Sequence, residues 1–215
     1  YTTILFVALV IGCVVFAFLD IITGTTYLPI DDVFAVLCST MDDATLETII
    51  LKMRLPKVVV SMAAGMALSA SGLQMQTLFR NPLAGPYVLG VNSGASLGVA
   101  LFTLATPMLG VASMHWLVSF GITGMAWIGS ALIFLLVMSL SRKIRNINTI
   151  LIVGMMLSSA ISAVVGILQY VGSEEALKSF VVWTMGSVST VTIEQIKILV
   201  PVVIVGLVLA IVVIK

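Results

Sequence analysis

Charged residues are scarce in this chain. Only 9% of its 215 residues are Asp, Glu, Lys or Arg, whereas 60% are hydrophobic, and the mean hydropathy is +1.25. Soluble globular domains carry about 25% charged and about 45–50% apolar residues, so this composition excludes that class. The few charges cluster between long uncharged stretches, which is the pattern of a protein that crosses a membrane several times.

Cysteine and histidine are also scarce, with two copies and one copy respectively. Cys13 lies within an apolar stretch and Cys38 in a loop, so we expect no disulfide between them. His115 has no second His or Cys close to it in the sequence. Because a metal site needs several such ligands, we expect none here.

Motifs of catalysis and energy coupling are missing as well. The sequence contains no phosphate-binding loop and no pair of acidic residues inside an apolar stretch. We therefore expect no enzymatic activity and no cofactor bound by this chain. If the protein takes part in active transport, the energy must come from another subunit.

Six mostly uncharged stretches are long enough to cross a bilayer, since a helix needs about 20 residues to span a hydrocarbon core of about 30 Å. Transmembrane strands alternate apolar and polar residues, whereas these stretches are continuously apolar. The sequence therefore predicts an all-α polytopic bundle that forms one transmembrane domain over residues 1–215. Its spans are expected near residues 1–22, 56–79, 87–106, 116–140, 147–170 and 191–214.

Both ends of the chain indicate a fragment. The sequence opens on Tyr1 without an initiator Met, and it stops at Lys215 where the last apolar stretch ends. The first stretch has no basic n-region and exceeds the apolar core of about 7–15 residues that signal peptides carry. We interpret it as a membrane helix.

One short loop indicates the orientation. With the N-terminus inside, the basic residues divide five and five between the two sides of the membrane. The loop SRKIRN holds Arg142, Lys143 and Arg145 without an acidic residue. Because short loops carry most of the weight of the positive-inside rule, we expect a cytoplasmic N-terminus.

The long loop of residues 23–53 then lies outside. It contains PIDDVFAVLCST, beginning at Pro29, in which Asp31 or Asp32 is a suitable N-cap. This pattern predicts a short helix with an apolar face that lies along the outer membrane surface.

Small residues recur at helical spacing on two predicted helices. Helices in lipid are held together by close approach of small residues and by interhelical hydrogen bonds, so we favour packing over substrate contact for both stripes. The second helix carries Ser61, Gly65, Ser69, Gly72 and Gln76, and the third carries Gly90, Gly94 and Gly98.

The fifth helix has a polar face along its whole length. Polar groups are costly in hydrocarbon, so this face is expected to turn towards neighbouring helices or water. Met with small polar residues offers adaptable contacts without a charged trap, which fits the wall of a pathway; plain packing remains the alternative. The face comprises Asn148, Met155, Ser159, Ser162, Gly166 and Gln169.

Four segments together resemble the permease subunits of ABC importers for iron siderophores, haem and cobalamin, the FecCD type. They are RLPK at residues 54–57, GMALSASGLQMQTLFRNPLAGPYVLGVNSGAS at 65–96, LIVGMMLSSA at 151–160 and WTMGSVS at 183–189. The resemblance implies a type II ABC importer permease fold, of which this chain supplies the first six of about ten helices.

The resemblance also implies partners and site residues. It implies a bacterial or archaeal cytoplasmic membrane protein that works with a second permease, two ATPase subunits that bind ATP and Mg, and a substrate-binding protein, and with no nucleic acid. Arg54 and Lys57 would dock the binding protein, the fifth helix would line the translocation pathway, and Asn81 and Pro82 would end the second helix in a cytoplasmic turn. A secondary transporter of a small solute, which also uses broken helices, is the alternative.

Overall fold

A computed structural model describes residues 1–24, 26–38, 43–105, 115–144, 146–188 and 191–214. Within these ranges all regular structure is helical, which confirms the predicted all-α fold. The helices are α1 (Thr2–Ile22), α2 (Ile30–Leu37), α3 (Ala44–Glu47), a π-helix (Thr48–Arg54), α4 (Leu55–Phe79), a 3-10 helix (Pro86–Leu89), α5 (Val91–Ala105), α6 (His115–Ser141), α7 (Ile147–Val171), α8 (Glu174–Thr184) and α9 (Ile193–Ile214).

Five of the described helical segments are long and apolar enough to cross a membrane, so the chain is a multi-pass membrane protein. Four of them, α1, α6, α7 and α9, begin and end within two residues of the bounds expected from apolar length. The fifth is the continuous segment Ala44–Phe79, which includes α4.

The third expected span, residues 87–106, contains a break. A 3-10 helix ends at Gly90, whose φ of 76° is left-handed, and α5 then runs for only 15 residues. At 1.5 Å per residue α5 rises about 22 Å, less than the hydrocarbon core of about 30 Å. Residue 106, where the span was expected to end, lies outside the described residues.

The second expected span begins earlier than its apolar stretch. The Asp43 side chain caps α3, accepting hydrogen bonds from the backbone amides of Thr45 at 2.9 Å and Leu46 at 3.3 Å. The helix then continues through the π-helical turns into α4, so Arg54 and Lys57 lie on a helix and not in a loop.

The short helix predicted in the long outer loop is present as α2. Its predicted cap is wrong: Pro29 is the N-cap residue and no side chain caps the helix. Asp31 and Asp32 instead occupy the first turn, where a negative charge still favours the helix dipole.

The chain divides into two compact units, one formed by Tyr1–Ala70 with Val188–Lys215 and the other by Ser71–Ser187. The core of the first unit gathers buried residues of α1, α2, the π-helix and α4, among them Ile21, Val33, Ile50 and Val58. The core of the second unit is larger and gathers residues of α5 to α8, among them Val99, Val137, Ile161 and Phe180.

In the second unit α5 and α6 approach each other at their backbones. A Cβ added to Gly98 would lie 2.0 Å from the carbonyl oxygen of Met125, and one added to Gly129 would lie 2.1 Å from that of Gly94. Only glycine fits at such a distance. The position of α5 is thereby fixed against α6, and the other side of α5 is left to α7 and α8.

Helix α8 was not predicted from the sequence. Its start carries ordinary signals: the Ser173 hydroxyl accepts a hydrogen bond from the amide of Ala176, and Glu174 and Glu175 occupy the first turn. The helix packs against α5 and buries Ala176 and Phe180. It closes one end of the site described next.

Candidate functional site

The polar face of α7 lines two cavities in the second unit. Helix α7 starts where Asn146 accepts a hydrogen bond from the amide of Asn148 at 2.9 Å. Five of the six residues predicted on this face reach a cavity. Asn148 is exposed and lines neither of them.

The first cavity has a volume of about 290 Å³ and lies between α5, α7 and α8. Three predicted residues, Ser162, Gly166 and Gln169, form part of its α7 wall. The rest of the lining is Ile161 and Val165 of α7, Asn92, Ser93 and Ser96 of α5, and Phe180 and Thr184 of α8.

The second cavity, of about 350 Å³, lies nearer the start of α5. Met155 and Ser159 are the predicted residues in its wall, and Ser158 joins them from α7. The remaining lining residues are Tyr87 and Val88 of the 3-10 helix and Asn92 and Ser93 of α5.

Both cavities have hydroxyl and amide side chains in their walls, and no acidic or basic residue is among the described residues that line them. A fixed charge would hold an oppositely charged solute tightly, whereas hydroxyl and amide groups form weaker contacts. Such a wall is suited to contacts that form and break as a solute passes.

The residues of α5 that line these cavities were not predicted from the sequence. Asn92, Ser93 and Ser96 recur at intervals of one and three, which places them on one side of a helix. The signal is present in NSGAS, but Gly94 between them also belongs to the stripe of Gly90, Gly94 and Gly98, which predicts helix packing.

Arg54, predicted to dock a partner, is buried with only 9% of its surface exposed. Its guanidinium donates to the backbone carbonyl of Ile21 at 2.5 Å and to that of Ile22 at 2.9 Å. It also donates to the carbonyl and hydroxyl oxygens of Thr26. The bonds to Ile21 and Ile22 occupy C-terminal carbonyls of α1, where a positive charge also favours the helix dipole.

Gly24 makes room for this arrangement. A Cβ added there would lie 2.9 Å from an Nη atom of Arg54, so a larger residue would push the guanidinium aside. The end of α1 and the RLPK segment are therefore fitted to each other within the first unit.

Lys57, the second predicted docking residue, is more accessible. Its Nζ lies 2.9 Å from Oδ1 of Asp20 on α1, and the two side chains are 41% and 35% exposed. Ion pairs as exposed as this one are worth only about 0–1 kcal/mol. The ammonium can therefore exchange Asp20 for another carboxylate at little cost.

The other residues predicted for packing differ in their surroundings. Gly94 and Gly98 lie in the close contact between α5 and α6, and Gly90 is the left-handed residue before α5. A Cβ added to Gly65 or Gly72 would meet no described atom within 4 Å.

Asn81 and Pro82 lie in the turn that follows α4. The Asn81 side chain accepts a hydrogen bond from the amide of Leu83 at 2.9 Å, and its backbone carbonyl accepts one from Ala84 at 3.1 Å. Arg80, just before them, has a φ of 47° and ends the helix.

Arg145 and Lys215, used to predict orientation, lie outside the described residues. Within the described part of the chain, no group of three His, Cys, Asp or Glu residues is placed to hold a metal ion.

Comparison with known proteins gives a consistent family. The family model described as the FecCD transport family matches residues 9–215. A protein of Helicobacter pylori named as a probable iron chelatin transport system permease is 35% identical over 147 residues, which are 68% of this chain and 41% of that protein. The hemin transport system permease of Yersinia pestis is 36% identical over 159 residues, 72% of this chain and 45% of the relative.

A solved structure agrees with these relatives. It is described as an inward-facing conformation of a metal-chelate type ABC transporter, and it superposes with a TM-score of 0.71 at 30% identity. The match covers 90% of this chain and 56% of the solved one. The chain thus spans about half the length of the relatives it matches.

Proposed function

The chain belongs to the FecCD transport family, and from that premise we propose that it is part of the permease subunit of an ATP-driven ABC importer. The subunit forms the translocation pathway for a metal chelate such as an iron siderophore, haem or cobalamin. The observation that carries this proposal is the uncharged polar wall of α7, which lines two cavities with α5. The transport functions named for the relatives support it.

The energy for import comes from partners in this proposal. Two ATPase subunits bind ATP and Mg, a second permease completes the pathway, and a substrate-binding protein delivers the chelate. The assembly lies in the cytoplasmic membrane of a bacterium or archaeon, with the N-terminus of the permease inside. Family membership supports this assembly, and the charge pattern of residues 141–146 supports the orientation.

Docking of the binding protein involves Arg54 and Lys57 in different ways. Lys57 makes a direct contact, because its ammonium is partly exposed and holds only a weak pair with Asp20. Arg54 acts indirectly, since its guanidinium is buried against the carbonyls at the end of α1. It holds the helix that carries Asp20, and thereby the position of Lys57.

The pathway wall consists of the α7 face, namely Asn148, Met155, Ser159, Ser162, Gly166 and Gln169. Asn148 lies at the start of the helix, outside both cavities, where it forms part of the cytoplasmic gate of the pathway. The neutral lining accommodates a bulky chelate whose own charge is spread over several ligand atoms.

Uptake into proteoliposomes tests the proposal. The full-length permease is reconstituted with the ATPase and the binding protein from neighbouring genes, and ferric hydroxamate, haem and cobalamin are supplied in turn. We expect uptake of one chelate that needs both ATP and the binding protein and that persists with a proton ionophore. Uptake that does not depend on ATP and is abolished by the ionophore would show that the protein is a secondary transporter instead.

A further inference from the structure

Helix α5 contributes to both cavities. Asn92 and Ser93 line the two of them, and Ser96 lines the first. No residue of α7 is shared in this way. The α5 residues thus form a continuous strip along the space that α7 faces.

The three α7 serines that line the cavities already donate their hydroxyl hydrogens within the helix. Each serine hydroxyl has one hydrogen to donate. Ser158 donates it to the carbonyl of Gly154 at 2.8 Å, Ser159 to that of Met155 at 3.1 Å, and Ser162 to that of Ser158 at 2.9 Å. These three side chains therefore present only lone pairs to the cavities.

The polar α5 side chains that line the cavities, in contrast, still have their hydrogen-bond donors free. Within the described part of the chain, the side chains of Asn92, Ser93 and Ser96 form no hydrogen bond. Asn92 offers two N–H groups and each serine one O–H group. Among the described α7 residues that line a cavity, only Gln169 adds free donors to these.

We infer that Asn92, Ser93 and Ser96 form a second wall of the pathway and supply hydrogen-bond donors to the passing solute. The inference rests on the proposed function and narrows its substrate class. A solute matched to this wall carries acceptor oxygens on its surface, such as the carbonyl, carboxylate or phenolate oxygens of a chelate. Apolar solutes displace water from these donors without replacing its hydrogen bonds, which costs free energy.

Two readouts in the assembled full-length transporter test the inference. The first is labelling with a charged methanethiosulfonate reagent in a background in which Cys13, Cys38 and any other native cysteine are replaced by Ser. We expect Asn92→Cys and Ser96→Cys to be labelled in at least one nucleotide state. Ala100→Cys, on the same helix but fully buried in the core, is the matched control and should stay unlabelled.

The second readout is ATP-dependent uptake of the chelate that the wild-type transporter carries. Asn92→Asp keeps the shape of the side chain but replaces its donors with an acceptor oxygen and a negative charge, both of which repel acceptor oxygens of the solute, so uptake should fall at least fivefold at unchanged complex yield. Ser96→Ala should lower it about twofold. Thr103→Ala is the control, because this α5 hydroxyl bonds to the carbonyl of Val99 at 2.8 Å and lines neither cavity.

The outcomes separate the inference from the function it rests on. If Ser162→Cys is labelled and wild-type uptake is intact, but both α5 cysteines stay unlabelled in every nucleotide state, the inference is overturned and the proposed function stands. Undiminished uptake by Asn92→Asp also overturns it. If the wild-type assembly imports no chelate in the presence of ATP, the proposed function itself fails.

Discussion

Arg54 donates a hydrogen bond of 2.9 Å to the backbone carbonyl of Ile22, although 32 residues separate the two in the sequence. The last carbonyls of a helix have no partner within the helix, so they need one from elsewhere. Arg54 supplies it for the end of α1, and Lys57 pairs with Asp20, two residues before Ile22 on the same helix. The basic residues of RLPK therefore connect the end of α1 to the π-helix and to α4.

Replacing Arg54 with Lys should destabilise the protein. Lysine keeps the charge but lacks the planar fork that reaches several acceptors at once. Leaving one buried carbonyl without a donor costs about 1–3 kcal/mol. Thermal unfolding of the assembled transporter in detergent should therefore begin at a lower temperature, with a larger change for Arg54→Met.

The same variants distinguish an indirect role from a direct charge contact. If Arg54 meets the binding protein directly, Arg54→Lys retains both stability and affinity, and only removal of the charge has an effect. An unfolding temperature equal to that of the wild type for Arg54→Met would contradict the assigned hydrogen bonds.

Replacing Lys57 with Gln should weaken the binding protein's affinity. The loss of an exposed charge pair is worth up to about 1 kcal/mol, or roughly fivefold in the dissociation constant. The difference from wild type should shrink as salt is added, because salt screens exposed charges. Lys52→Gln, the same change on an exposed residue of the π-helix, should have a smaller effect. If the binding protein has equal affinity for the two variants at low salt, Lys57 does not contribute to the docking surface.

Two alanine substitutions on α6 should differ in their effect on stability, one lowering it and the other leaving it unchanged. A Cβ at Gly129 meets the carbonyl oxygen of Gly94 at 2.1 Å, so Gly129→Ala must force α5 and α6 apart and lower stability by at least about 1–3 kcal/mol. Gly124→Ala is the matched control, since a Cβ there meets nothing within 4 Å. The yield of folded permease by size-exclusion chromatography should fall only for Gly129→Ala. Normal yields for both would contradict the described approach of the two backbones.

Two left-handed glycines separate backbone strain from crowding. Gly90 has a φ of 76° and Gly186 one of 71°, so alanine at either costs about 1–2 kcal/mol for the backbone alone. At Gly90 the new Cβ also lies 3.1 Å from the Ser158 hydroxyl and 3.3 Å from Ile133, whereas at Gly186 it meets nothing within 4 Å. Thermal unfolding should therefore shift further for Gly90→Ala than for Gly186→Ala. An equal shift would mean that the start of α5 is not held against α7.

Local pattern was sufficient for much of this fold. The bounds of α1, α6, α7 and α9 follow from the length of their apolar stretches, and the polar face of α7 follows from helical spacing. Gly90 shows the limit of that reasoning: its spacing matched a packing stripe, but its left-handed φ breaks the helix and shortens α5.

Contacts between distant segments could not be predicted in this way. Nothing near Arg54 in the sequence indicates that its acceptors are the carbonyls of Ile21 and Ile22, because every residue carries a carbonyl. The shared cavity residue Asn92 likewise becomes recognisable only when α5 is placed beside α7.

Labelling of cysteines on α7 tests the central claim most directly, namely that its polar face lines a water-filled pathway. In the assembled full-length transporter, Ser159→Cys, Ser162→Cys and Asn148→Cys are exposed to a charged thiol reagent in each nucleotide state. Leu151→Cys, buried on the same helix and outside both cavities, is the control. The account predicts labelling of Ser159→Cys and Ser162→Cys in at least one state and of Leu151→Cys in none. Cysteines at 148, 159 and 162 that all resist the reagent in every state would contradict it.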